Sequence, residues 1–204
     1  VGGLPATPAP TGDWTQRVAL VADRPSSDFD FEAASARVQA LLPADFGVVN
    51  LFARQLGGAT RNTIIASLNE GQLLVNFSGH GSVEIWGKSP FFGRNNARAL
   101  TNGARLPIVV AMNCLNGLYS DLYTESLAEA FLKAPNGGAA AVWASSALTE
   151  PDSQALMDEE FFRLVFQGPP IRLGDAVRGA KAVVPDEEVR RTWILLGDPT
   201  LRIR

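Results

Sequence analysis

A chain with one cysteine cannot close an internal disulfide, and a chain with one histidine cannot build a histidine-rich metal site. Both residues occur once in these 204 residues, so whatever chemistry either performs, it performs singly. The thiol leaves the compartment open, because the cytosol and secretion with an unpaired thiol both allow it. By default such a cysteine is a small buried hydrophobe. Charge is sparse as well: Lys, Arg, Asp and Glu make up 19% of the chain and sum to −3. That balance gives no electrostatic ground for a nucleic acid or an anionic membrane as partner. No apolar run approaches the ~20 residues that cross a bilayer. No basic segment leads into an apolar one at the start, so no intact signal peptide is expected. No cofactor and no metal motif is marked, although an oxygen-ligand calcium site stays open.

What is present is a globular composition, 46% hydrophobic, long enough to bury a full core. The first 13 residues are rich in Pro, Gly and Thr and show no period. With the next three they read as a linker or N-terminal arm, residues 1–16, joining a domain at 17–204 to further domains of one parent polypeptide.

Inside that domain, apolar runs and helical spacings alternate. Arg17-Val18-Ala19-Leu20-Val21-Ala22-Asp23 suits a strand buried on both faces. Phe31, Ala34, Val38, Leu41 and Leu42 come next at helical spacing, up to Pro43. Val48-Val49-Asn50-Leu51-Phe52 reads as a second strand. Thr60 is placed to cap a helix bearing Ile64, Ile65 and Leu68 that ends at Gly71. A third strand, Leu73-Leu74-Val75-Asn76-Phe77-Ser78, carries the sole histidine into the turn Gly79-His80-Gly81. The stretches around Trp86 and Phe92 read as loop, and residues 95–102 as a short helix. A fourth strand at 106–113 ends on the sole cysteine, Cys114. Then come a helix at 124–133, a strand at 139–144, helices at 153–167 and 173–183, and a C-terminal apolar run with the turn Gly197-Asp198-Pro199 and a short edge strand.

Alternating strands and helices predict an α/β fold with a mostly parallel sheet covered on both faces. In such sheets ligands sit off the carboxyl ends of the strands. Asp23, His80 and Cys114 all fall at such ends. A thiolate that attacks a carbonyl needs a base nearby, and His80 is the one imidazole able to serve. The N–H groups of Gly81 and Cys114 are candidate oxyanion donors, and Asp23 is a candidate carboxylate to orient the ring. Trp86 and Trp143 are candidate walls of a substrate cleft, against the commoner fate of large aromatics in the core.

Asn76-Phe77-Ser78-Gly79-His80-Gly81-Ser82 with Trp86 resembles the histidine motif of the gingipain family of cysteine peptidases, and Asn113-Cys114-Leu115-Asn116-Gly117 resembles its cysteine motif. Three later stretches are similar to the family's sequence downstream of that cysteine motif: Glu125-Ser126-Leu127-Ala128-Glu129-Ala130-Phe131, the run from Gly137 to Ser145, and the ending Leu196-Gly197-Asp198-Pro199-Thr200-Leu201-Arg202-Ile203. The resemblance spans residues 17–204. It implies a caspase-like three-layer α/β/α sandwich, with a dyad of Cys114 and His80 oriented by Asp23. It also implies a peptide or protein substrate cut after Arg or Lys, whose side chain an acid receives. Asp152, after the fifth strand, lies where one branch of the family carries that acid; Asp28 or Asp30, after the first strand, is the alternative for the same role, as in another branch. The gingipains carry an additional subdomain ahead of the catalytic one, and this chain is expected to be the catalytic one alone, from an exported bacterial protein, secreted or at the cell surface.

The same residues allow two further classes: a transpeptidase or sorting enzyme acting on exported proteins through the same thioester, and a non-catalytic docking module. Intact Cys114, His80 and Gly81 weigh against the second.

Overall fold

The computed structural model describes residues 13–203. Most of the expected arm, residues 1–12, lies outside them. Its last residues form a single 3-10 turn, Trp14–Gln16, capped by the Asp13 carboxylate.

Strand β1 (Arg17–Ala22) leads to α1 (Phe31–Gln39), β2 (Gly47–Phe52), a one-turn α2 (Ala53–Leu56) and α3 (Thr60–Glu70). Then come β3 (Leu74–Ser78) and the short strands β4 (Gly81–Ser82), β5 (Ile85–Trp86) and β6 (Phe92–Gly93), with α4 (Arg94–Arg98) behind them. The second half runs β7 (Ile108–Met112), α5 (Leu127–Leu132), β8 (Ala141–Ser145), α6 (Pro151–Gln167), α7 (Leu173–Ala182), α8 (Glu187–Thr192) and β9 (Trp193–Gly197).

Six strands form the central sheet in the order β2-β1-β3-β7-β8-β9; all neighbours are parallel except β8 and β9. Every residue of β1, β3, β7 and β8 is buried. Strands covered on both faces gain nothing from polar alternation, and this is why they read as near-continuous apolar runs. Successive side chains still divide between two cores. Val18, Leu20, Val110, Met112 and Trp143 face α1, α6 and α7, while Ala19, Val21, Phe77, Val109 and Val142 face α3, α4 and α5. The molecule is the expected three-layer sandwich, caspase-like in its mostly parallel sheet.

Several local expectations change. Thr60 opens α3 but does not cap it, for its hydroxyl donates back to the Gly57 carbonyl at 2.7 Å. The helix expected from residue 124 begins at Leu127, where Ser126 and Glu129 form a reciprocal capping box. The supposed loop around Trp86 and Phe92 is a second, three-stranded antiparallel sheet, β4-β5-β6. The C-terminal edge strand is the apolar run itself, β9, ahead of the Gly197-Asp198-Pro199 turn. Beyond that turn, among the described residues, Arg202 forms one isolated antiparallel bridge with Arg172.

Candidate active site

Strands β3 and β7 pair in parallel with Ser78 opposite Met112. His80 and Cys114 each lie two residues beyond that last pair. Register alone therefore brings together two residues 34 positions apart, and the Gly79 N–H donating to the Met112 carbonyl at 3.2 Å ties the two strand ends. Asp23 comes directly after β1, the other neighbour of β3, and its N–H donates to the Ser78 carbonyl at 3.0 Å.

The histidine loop is pinned from both sides. Asp23 is buried, 4% exposed, and its carboxylate accepts three main-chain N–H groups: Arg24 at 2.8 Å, Lys88 at 3.0 Å and His80 at 3.3 Å. Expected to orient the imidazole, Asp23 instead holds the main chain of the histidine; its hydrogen bonds are spent on backbone donors. The ring stands edge-on to Phe31, centroids 5.2 Å apart, and its Nε2 is buried without a hydrogen-bond partner. The His80 carbonyl accepts the Gly87 N–H at 2.8 Å. That bond makes the adjoining Gly81–Trp86 pair a non-hydrogen-bonded one, so the Gly81 N–H points away from β5.

Glycine at 81 is a packing requirement. A Cβ there would lie 1.8 Å from Asn113 Nδ2, closer than any contact a side chain tolerates. The Asn113 amide reaches this spot because it donates to Asn116 Oδ1 at 2.8 Å. Asn116, 1% exposed, also accepts the Trp86 indole N–H at 2.7 Å and donates to the Ser82 and Ile85 carbonyls. One buried amide thus fastens the loop after Cys114 to the small sheet after His80. Between Cys114 and Asn116, Leu115 has φ +64°, a left-handed conformation that costs a non-glycine residue roughly 1–2 kcal/mol.

Cys114 is half-buried and its sulfur donates to the Thr149 carbonyl at 3.6 Å; no hydrogen bond joins it to His80 in this structure. Such bonds often tighten only with substrate in place. Thr149 is held in turn by Gln154, whose amide donates to its carbonyl and its hydroxyl at 3.0 Å each. Cys114, His80, Phe31, Asp28, Thr149 and Glu150 line one cavity of about 230 Å³.

Of the predicted substrate residues, the cavity takes Asp28 and leaves the others out. Asp30 caps α1, accepting the Ala33 N–H at 2.9 Å. Asp152 is exposed in the first turn of α6, where a carboxylate favours the helix N-terminus. The acid presented to the cavity from this segment is Glu150, the N-cap residue just before Pro151. Neither tryptophan walls the cleft. Trp86 is wholly buried, stacked between Phe77 at 4.5 Å and Phe92 at 4.9 Å. Trp143 is wholly buried against Phe161 and Trp193. Among the described residues no three of His, Cys, Asp and Glu gather as a metal site.

A half-buried cysteine and a histidine thus stand on in-register ends of adjacent parallel strands, inside a three-layer α/β/α sandwich of caspase-like type. The model of "Peptidase family C25" matches residues 6–204, and the chain belongs to that family. It is 30% identical over 196 residues, 90% of its length, to gingipain R2 and to gingipain R1 of Porphyromonas gingivalis. It spans only 26% and 19% of those two proteins. Among solved structures, gingipain R, described as an Arg-specific cysteine proteinase, superposes with a TM-score of 0.84. The identity there is 21%, over 94% of this chain and 48% of that one. A complex of gingipain pro- and mature domains from the same organism gives 0.82.

Proposed function

We propose that this chain is the catalytic unit of a cysteine endopeptidase that cleaves peptide bonds after Arg or Lys. The observation that supports it most is the single cavity in which Cys114 and His80 meet two carboxylates, Asp28 and Glu150.

In the reaction, His80 takes the Cys114 proton and the sulfur adds to the scissile carbonyl carbon. The oxyanion so formed is met by the N–H of Gly81, directed away from β5, and by that of Cys114, which has no acceptor among the described residues. Collapse expels the amine, which takes its proton from His80 and leaves a thioester. Water, deprotonated by the same imidazole, then releases the acid and restores the thiol. Asp23 acts through the main chain, fixing where His80 starts. A P1 guanidinium or ammonium would sit between Asp28 and Glu150, a paired-charge contact that discriminates strongly against neutral side chains. The resemblance to gingipains supports an exported bacterial protein, secreted or on the cell surface, and the small share of each relative that is spanned supports further domains in the parent polypeptide.

The test is a peptide library varied only at P1. Turnover is expected for Arg or Lys and not for neutral residues. Asp28→Asn and Glu150→Gln should together lower kcat/KM on the favoured substrate by about tenfold to a hundredfold, the range of a hydrogen bond to a charged group. Cleavage after apolar or acidic P1 residues would overturn the cation assignment.

A further inference from the structure

The dyad cavity adjoins a larger one of about 610 Å³ on the other side of His80, and the two share Ser26, Asp28 and His80. The chemistry changes across that boundary. Nine of the described Lys and Arg residues are paired with carboxylates, from Arg17 with Glu70 to Arg191 with Glu187, while others, Arg105, Arg172, Lys181, Arg190 and Arg202 among them, are not. Arg24, Arg61 and Lys88 have no carboxylate partner among the described residues, and all three line the larger cavity. Arg61 is fixed on its rim, its Nε donating to the Phe91 carbonyl at 3.2 Å. Two carboxylates also line the cavity. Asp23 is saturated by its three main-chain N–H donors, and Asp28 stands at the boundary with the dyad cavity. Beyond that boundary the lining offers three cations without an ion-pair partner, against the single carboxylate of Asp23, whose oxygens are already taken up by main-chain N–H groups.

We propose that the larger cavity is a second substrate subsite, which receives a carboxylate of the peptide close to the scissile bond and holds it with Arg61, Lys88 and Arg24. The inference rests on the peptidase reading. An extended peptide advances ~3.3 Å per residue with alternating side chains, so residues near P1 pass His80 and enter this space. The carboxylate is an acidic side chain or the terminal carboxyl of a short peptide. The two halves of the site then read opposite charges: an acid pair for the P1 cation, and a cation cluster for the neighbouring anion.

The experiment compares peptides that share an Arg or Lys P1 and differ only by Glu against Gln at single positions on either side, with amidated and free C-termini. At one position Glu is expected to raise kcat/KM over Gln by about tenfold, the sum of two contacts at the strength of exposed ion pairs. A free terminus giving that gain in place of Glu would identify the terminal carboxyl as the ligand. The preference should shrink with added salt. In Arg61→Glu/Lys88→Glu it should invert. All three cations are exposed, so the exchange leaves the core untouched, and losses common to both peptides cancel in the ratio. A Glu/Gln ratio of one throughout, or a preference unchanged by the exchange, overturns the subsite. If no peptide is cleaved at all, the peptidase reading falls on its own. Fluorescence anisotropy of the same labelled peptides on the Cys114→Ala protein then decides the subsite by the same ratio and the same inversion.

Discussion

Asp158, 3% exposed on the inner face of α6, has both carboxylate oxygens on the Asn76 amide of β3, at 2.6 and 2.7 Å. Burial pushes its pKa up to about 7, outweighing the amide donor, with Glu159 adding to the rise. The native state therefore holds a proton that the unfolded chain, near the ordinary value of 3.8, has released over the range between. The stability this group contributes is fully present below about pH 4 and is lost as pH climbs to 7, by an amount of order 4 kcal/mol. Asp158→Asn should remove that slope, so that the variant gains on the parent as pH rises from 5 to about 7.5 in urea titrations. An unchanged difference across that range would contradict it. Asn76 stands two residues before Ser78, so this proton sits under the strand that delivers His80. Sequence reading put Asn76 in the histidine motif but gave no hint of Asp158, whose partner is 82 residues away.

Among the elements, the one that matters most to the site is the small sheet β4-β5-β6, the one that periodicity missed. Its strands are two residues long, too short for any alternation to show, and Gly81, Gly87 and Gly93 read as turn signals. Its stability comes from tertiary contacts: Trp86 between Phe77 and Phe92, and the Asn116 amide that joins it to the cysteine loop. Asn116→Ala strips a partner from the Trp86 and Asn113 donors and from two carbonyls. It should cost about 2–4 kcal/mol, as buried polar groups left unpaired do, and should lower kcat more than it raises KM by loosening His80 against Cys114. Trp86→Phe keeps most of the stacking and loses one donor to Asn116, so about 1–2 kcal/mol is expected in denaturant midpoints. Equal losses in the two variants would argue against Asn116 as the hub.

At the scale of the whole molecule, the layering and the strand ends were legible because the physics behind them is local and strong. Buried parallel strands must be apolar throughout, and the residues that leave them, Asp23, His80 and Cys114, are polar or reactive. The parallel register then converts those positions into a site, since β3 lies between β1 and β7. What the sequence concealed was direction. Asp152 and Glu150 are two residues apart, yet Glu150, the N-cap residue of α6, lines the cavity while Asp152, in the first turn, does not. Asp23 could have met the ring or the main chain of His80, and only the three backbone donors around it decide for the main chain. Trp86 and Trp143 differ from cleft residues only in being covered, which composition does not encode.

The central claim is that Cys114 is a nucleophile made reactive by His80. An arginyl acyloxymethyl ketone, which alkylates a thiolate and barely touches a thiol, tests it when adducts are mapped by mass spectrometry at neutral pH. The account predicts one equivalent on Cys114 in the parent, with modification slowed by orders of magnitude in His80→Ala and absent in Cys114→Ala. An unmodified Cys114, or a rate indifferent to His80, would contradict it.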